Sequence, residues 1–200
     1  MMIAIIDYGM GNLYSVEKAF ARLGARVVVT SEAKAIAQAD KVVLPGVGAF
    51  GDCMKNLRSS GLIPVIESVI AGGKPFLGIC LGLQLLFEGS EEDPGVDGLG
   101  IFAGQVRKIT APDLKIPHMG WNSLAFQQTS PLFKGVDAGS YVYFVHSYHA
   151  VPEADIVTAV ADYGQTVTAA VGRDNVQAVQ FHPEKSSSVG LSILANFVKL

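Results

Sequence analysis

Pro75-Phe76-Leu77-Gly78-Ile79-Cys80-Leu81-Gly82-Leu83-Gln84-Leu85-Leu86-Phe87 is the longest uncharged apolar stretch of the chain. Pro75–Ile79 reads as a short buried strand and Leu81–Phe87 as a helix, joined at Gly78-Ile79-Cys80-Leu81-Gly82. At 13 residues, with Gly78, Gly82 and Gln84 inside it, the stretch is too short to cross a bilayer, which takes roughly 20 apolar residues. A strand feeding straight into a helix is the unit of a parallel sheet, and the segments before this one repeat it. Met2–Ile6, Arg26–Thr30 and Lys41–Leu44 are strand-like. Val16, Ala19, Phe20 and Leu23 have helical spacing up to Gly24; Glu32–Ala39 and Leu62–Ala71 also read as helices. This alternation predicts an α/β fold with an open, mostly parallel, doubly wound sheet.

The second half changes rhythm. Ile101–Ile109, Trp121–Phe126, Tyr141–Tyr148, Ile156–Ala161, Thr166–Val171 and Val176–Phe181 are β-branched or aromatic runs with few helix signals between them. Gly172-Arg173-Asp174-Asn175 has the composition of a hairpin turn. An antiparallel extension is expected here, closed by a helix from about Ser188 to Lys199. Glu91–Gly100 reads as a loop, and no linker or repeat divides the chain, so residues 1–200 are expected to form one domain.

Half of the residues are hydrophobic, 16% are charged, and the mean hydropathy is +0.36. Such a chain can bury a sizeable core, which excludes disorder. Fifteen basic against 18 acidic residues give a net charge of −3 without a basic run, so no nucleic-acid partner is expected. The N-terminus lacks a basic region and meets Asp7 early, unlike a secretory leader. With Cys53 and Cys80 as the only cysteines, a disulfide framework is not expected and a reducing cytoplasm is.

Ligands in open α/β sheets sit at the carboxyl ends of strands. Cys80 is placed there, in a strand–turn–helix setting that matches a nucleophile elbow with sulfur in place of oxygen. The elbow needs small residues two positions to either side, and Gly78 and Gly82 supply them. A helix start favours a thiolate and frees the Leu81 N–H for a developing oxyanion. Val176–Phe181 delivers His182-Pro183-Glu184 to the same sheet edge. Alternation along an extended segment puts His182 and Glu184 on one side, which suits a base and its orienting carboxylate. Gly46-Val47-Gly48-Ala49-Phe50-Gly51 has the G-x-G-x-x-G form, but dinucleotide binding needs an acid closing the next strand, where Gly-Ile-Cys stands instead. A second backbone donor for the oxyanion suits this segment better. His146 and His149, three apart on a strand, face opposite sides and cannot chelate jointly; no metal site is expected. Trp121, the single tryptophan, fits a core or an interface equally well.

Gly78-Ile79-Cys80-Leu81-Gly82-Leu83-Gln84 together with His182-Pro183-Glu184 resembles the triad (class I) glutamine amidotransferases. Asp7-Tyr8-Gly9-Met10-Gly11-Asn12-Leu13, Pro45-Gly46-Val47-Gly48-Ala49-Phe50, Pro117-His118-Met119-Gly120-Trp121-Asn122, Tyr143-Phe144-Val145-His146-Ser147-Tyr148 and Phe181-His182-Pro183-Glu184-Lys185-Ser186 narrow the likeness. Together they resemble the branch of glutaminase subunits of imidazole glycerol phosphate synthases, in histidine biosynthesis. His-Met-Gly-Trp-Asn is the discriminating segment. The resemblance implies glutamine as substrate, no cofactor, and a heterodimer with a separate (β/α)₈ cyclase subunit that uses the ammonia. It implies Cys80 as nucleophile, His182 as acid/base and Glu184 as its orienter. It further implies Gln84 holding glutamine, an oxyanion hole from Val47 (between Gly46 and Gly48) and Leu81, and Ser147 and Tyr148 at the substrate's amino and carboxylate end. Asn12, Trp121 and Lys185 are implied at the partner interface. An amidotransferase of another synthase, a thiol hydrolase or peptidase on the same scaffold, and a flavodoxin-like module with an inert cysteine are the competing possibilities.

Overall fold

The computed structural model describes residues 1–200. In chain order its elements are β1 (Met2–Ile6), α1 (Leu13–Arg22), β2 (Arg26–Thr30), α2 (Ala33–Gln38), β3 (Lys41–Gly46), α3 (Phe50–Ser59), α4 (Ile63–Ala71), β4 (Phe76–Cys80) and α5 (Leu81–Gln84). There follow β5 (Gly89–Ser90), β6 (Gly104–Lys108), β7 (His118–Ser123), β8 (Ala125–Phe126), β9 (Tyr141–His146), β10 (Tyr148–Pro152), β11 (Val157–Asp162), β12 (Thr166–Arg173), β13 (Val176–Val179) and α6 (Ser187–Lys199). The main sheet has the order β2-β1-β3-β4-β13-β12-β11-β8. Its first five strands pair in parallel and β12, β11 and β8 antiparallel, as the alternation and its later loss predict.

Strict alternation along the central strands splits the core in two. Ala4 and Ile6 of β1 pack with Ile36, Met54, Leu57 and Ile66 from α2, α3 and α4. Ile3 and Ile5 pack with Val16 and Phe20 of α1 and Ile193 and Phe197 of α6. Covered on both faces, these strands carry apolar residues at nearly every position, which is why they are conspicuous in the sequence.

Several elements differ from expectation. Phe50–Ser59 is a helix that the G-x-G-x-x-G pattern obscures, although Phe50, Cys53, Met54 and Leu57 lie on its buried face. The helix after Cys80 ends at Gln84 rather than Phe87. Backbone N–H groups of Gly98, Leu99, Gly100 and Phe102 take the carbonyls of Glu88, Leu85, Phe87 and Leu86, so the chain turns away into β5. The expected strand Tyr141–Tyr148 breaks at Ser147: β9 pairs with β7 in a two-stranded ribbon, while β10 joins β6 and β5 in a small sheet. Trp121–Phe126 likewise divides between β7 and β8.

Candidate active site

Strand β4 lies between β3 and β13, with Gly46 opposite Cys80 and Val179 opposite Ile79. The carboxyl ends of three adjacent parallel strands thus bring Val47, Cys80 and His182 to one place. The backbone of Cys80 takes φ 56° and ψ −113°, a left-handed conformation that is costly for any residue with a Cβ. Close packing imposes it. A Cβ on Gly78 would lie 2.8 Å from the Gly82 carbonyl oxygen, and one on Gly82 would collide with the Leu44 carbonyl oxygen. The glycines are therefore the condition under which the turn fits beside β3.

His182 follows β13 in extended conformation, but Pro183–Lys185 then form a single 3₁₀ turn. Glu184 accordingly reaches the ring through that turn, not by strand alternation. His182 Nδ1 lies 2.7 Å from Glu184 Oε1, both side chains being nearly fully buried. Burial works against a charged ring, but the neighbouring Cys80 thiol and Glu184 carboxylate outweigh it and raise the His182 pKa above the ordinary histidine range. His182 Nε2 has no hydrogen-bond partner. It and Cys80 line a cavity of about 290 Å³ with Val47, Leu81, Gln84 and Tyr148. The set can do covalent acyl chemistry: sulfur to attack, a charged imidazole to move a proton, and a carboxylate to orient it.

The class I glutamine amidotransferase family model matches residues 4–200. The imidazole glycerol phosphate synthase subunit HisH of Syntrophotalea carbinolica is 56% identical over 98% of this chain and 98% of its own. That of Methanothermobacter thermautotrophicus is 52% identical, covering 100% of this chain and 98% of its own. The chain belongs to the class I glutamine amidotransferases, in their HisH branch. Solved structures at low identity share the fold: a glutamine amidotransferase (TM-score 0.77, 17% identity, 98% of this chain and 97% of that one) and PurLQS from Thermotoga maritima (0.76, 17%, 99% and 97%).

In this amidotransferase the remaining expected residues are placed as follows. Gln84 is buried; its Nε2 donates to the Tyr148 carbonyl at 3.1 Å and to Gln180 Oε1 at 3.0 Å, leaving Oε1 without a partner. Ser147 and Tyr148 line the cavity; Gly46 does not, being wedged against Leu81 and Gly82. Asn12 is half-buried at the start of α1. Trp121 is 51% exposed and Lys185 exposed, and both reach Tyr143, the indole at 6.2 Å between ring centres and Lys185 Nζ at 5.9 Å from the ring. The G-x-G-x-x-G segment offers no phosphate site. The Phe50 and Gly51 N–H groups at the start of α3 already donate to Glu92 Oε2 (2.9 Å) and Asp93 Oδ2 (2.7 Å).

Three features escape the sequence. Glu92, from the loop read as empty of motif, lines the cavity with a carboxylate. Gln180 bridges Gln84 and Cys80, its Nε2 lying 3.9 Å from Sγ. Its spacing of two from His182, both on an extended segment, was the available signal. Last, the histidines form a directional chain. Asn122 Nδ2 donates to His118 Nε2 (3.2 Å), His118 Nδ1 to His146 Nε2 (2.9 Å), and His146 Nδ1 to the Tyr148 carbonyl (2.8 Å). The carbonyl at one end and the amide at the other assign every proton, so both rings are neutral. His149 lies apart, against Gln165 and Thr168.

Burial pushes His118 down to about 4 and His146 down to about 3, from 6.5. Between pH 6.5 and 4 the unfolded chain therefore binds protons that the folded chain refuses. Their stabilising contribution is full above the unfolded value and is lost as the pH falls. His182, shifted upward, contributes fully below 6.5 and loses its share progressively as the pH rises above that, so between pH 7 and 4.5 it offsets only a small part of that loss. Urea unfolding at pH 4.5 should give a stability about 4 kcal/mol below that at pH 7. An unchanged value would contradict the neutral pair.

Proposed function

We propose that the chain hydrolyses glutamine with Cys80, His182 and Glu184 as a triad, as one domain spanning residues 1–200, and passes the ammonia to a (β/α)₈ cyclase subunit in the cytoplasm. The observation that carries this is the elbow cysteine facing the His182–Glu184 pair across a cavity of amino-acid size. The Cys80 sulfur, as thiolate, attacks the side-chain carboxamide carbon. Val47 and Leu81 N–H groups take the oxyanion. Its collapse breaks the C–N bond as the His182 imidazolium gives its proton to the leaving nitrogen, releasing ammonia and a glutamyl thioester. Water, losing a proton to His182, attacks that thioester; glutamate leaves, and the thiolate and the imidazolium are restored. Glu184 holds the ring and balances its charge. Gln84, Ser147 and Tyr148 hold the substrate, and Glu92 pairs with its α-ammonium.

Ammonia in neutral water is mostly protonated and no longer nucleophilic, so it must be handed on before it escapes. The cyclase, which makes imidazole glycerol phosphate and an aminoimidazole carboxamide ribotide, docks on the exposed face of the β7–β9 ribbon. Met119, Trp121 and Tyr141 present apolar surface there beside Lys185, with Asn12 as a further contact. No helix is long and apolar enough to cross a membrane. The test is a glutaminase assay of the purified chain alone, with the cyclase subunit, and with the cyclase plus its nucleotide ligand. Turnover should be low alone and rise with the liganded partner, because the glycine-flanked Val47 peptide reorients cheaply. Equal turnover in all three would refute the coupling, and turnover of peptides but not glutamine would refute the activity.

A further inference from the structure

The peptide units of Pro45-Gly46-Val47-Gly48 are not held alike. The Pro45 carbonyl accepts a buried hydrogen bond from Tyr8 Oη at 2.9 Å. The Val47 carbonyl accepts one from Cys53 Sγ at 3.4 Å. Between these anchors, Gly46 is wedged so tightly that a Cβ would meet Gly82 N, Leu81 Cβ and Tyr8 Oη, each at 2.9 Å. The intervening peptide is the one that carries the Val47 N–H, and that N–H makes no hydrogen bond.

We infer that Tyr8 and Cys53 are positioning residues that pin the carbonyls on either side of this peptide, so that the Gly46–Val47 unit alone turns and its N–H aims at the oxyanion. This rests on the assignment of the Val47 N–H as an oxyanion donor. A peptide plane between two fixed neighbours turns about Gly46 ψ and Val47 φ together, which displaces little else. Gly46, without a Cβ, tolerates the change. Both anchors come from the core side: Tyr8 follows β1, is 5% exposed, and leaves the cavity side of the strand free, while Cys53 lies on the buried face of α3. Burial pushes the Cys53 thiol up to about 11, so it keeps its proton and remains a donor at neutral pH. Tyr8 is raised for the same reason. Glu92 and Asp93 fix the start of α3, and with it the Cys53 anchor.

The test compares Tyr8→Phe, Cys53→Ala, Cys53→Ser and Val47→Pro in the full chain with three readouts. These are glutaminase kinetics with the liganded cyclase, inhibition by glutamate γ-semialdehyde, and the rate of Cys80 alkylation by iodoacetamide. The aldehyde adds to the thiol and places an oxygen in the oxyanion position; alkylation needs no such donor. Tyr8→Phe and Cys53→Ala should each lower kcat about five-fold, the loss of one neutral hydrogen bond, with KM little changed. Aldehyde affinity should fall in the same ratio, alkylation should keep its rate, and Cys53→Ser should recover what Cys53→Ala loses. Wild-type kcat and aldehyde affinity in Tyr8→Phe and Cys53→Ala, with Val47→Pro defective, overturn the anchoring alone. Alkylation falling in parallel with kcat, or Cys53→Ser as poor as Cys53→Ala, overturns it as well. Wild-type aldehyde affinity in Val47→Pro overturns the donor assignment on which the inference stands.

Discussion

Cys80→Ala brings glutamine hydrolysis down by about 10⁴-fold or more, while the cyclase reaction fed with ammonium salt keeps its rate. Alanine occupies the elbow without strain beyond that already borne at φ 56°, so the fold and the cavity persist. What is lost is the only group that can form the thioester. His182 then has no thiolate to work with, and on the proposed reading glutamine should still bind without reacting. Cys80→Ser should fall almost as far, because a hydroxyl yields its proton to the ring far less readily than a thiol. The measurement is glutamate release with the partner present, paired with mass spectrometry for the glutamyl adduct. Hydrolysis persisting in Cys80→Ala would move the chemistry to another residue.

The second large effect falls on folding. Gly82→Ala places a methyl group onto the Leu44 carbonyl oxygen, and the obstacle is backbone in β3 rather than the tip of a mobile side chain. Leu44 is opposite Gly78 in the β3–β4 ladder, so yielding means parting the two central strands at the elbow. A loss of about 4 kcal/mol or more is expected. Set against a total of about 5–15 kcal/mol, it leaves a chain that unfolds at low urea or does not accumulate. Unfolding curves of the two proteins decide it: matching midpoints would mean that the elbow is not packed backbone to backbone.

The strands of the parallel half were legible almost to the residue, though α3 between them was not. β1 and β2 fall where their apolar runs do, because a strand covered on both faces writes itself as an unbroken hydrophobic run. Cys80 and His182 were legible for a related reason: each directly follows such a run. Where stability comes from afar, the sequence is silent. α3 has no capping side chain of its own, its first N–H groups being met by acids about forty positions downstream. Tyr141–Tyr148 looks like one strand because nothing local marks Ser147 as the point where the chain leaves the β7 ribbon for the β6 sheet. Glu92 belongs to the same class. Its loop carries no pattern, and only the tertiary approach to β3 and β4 gives its carboxylate a wall of the cavity.

On its antiparallel side the main sheet terminates in β8, only Ala125 and Phe126. So brief a border strand offers an incoming chain few unpaired main-chain groups to zip onto. Edge-on stacking of one copy against another thus finds little template along this margin, whereas β2, with five residues, is the longer border of the same sheet.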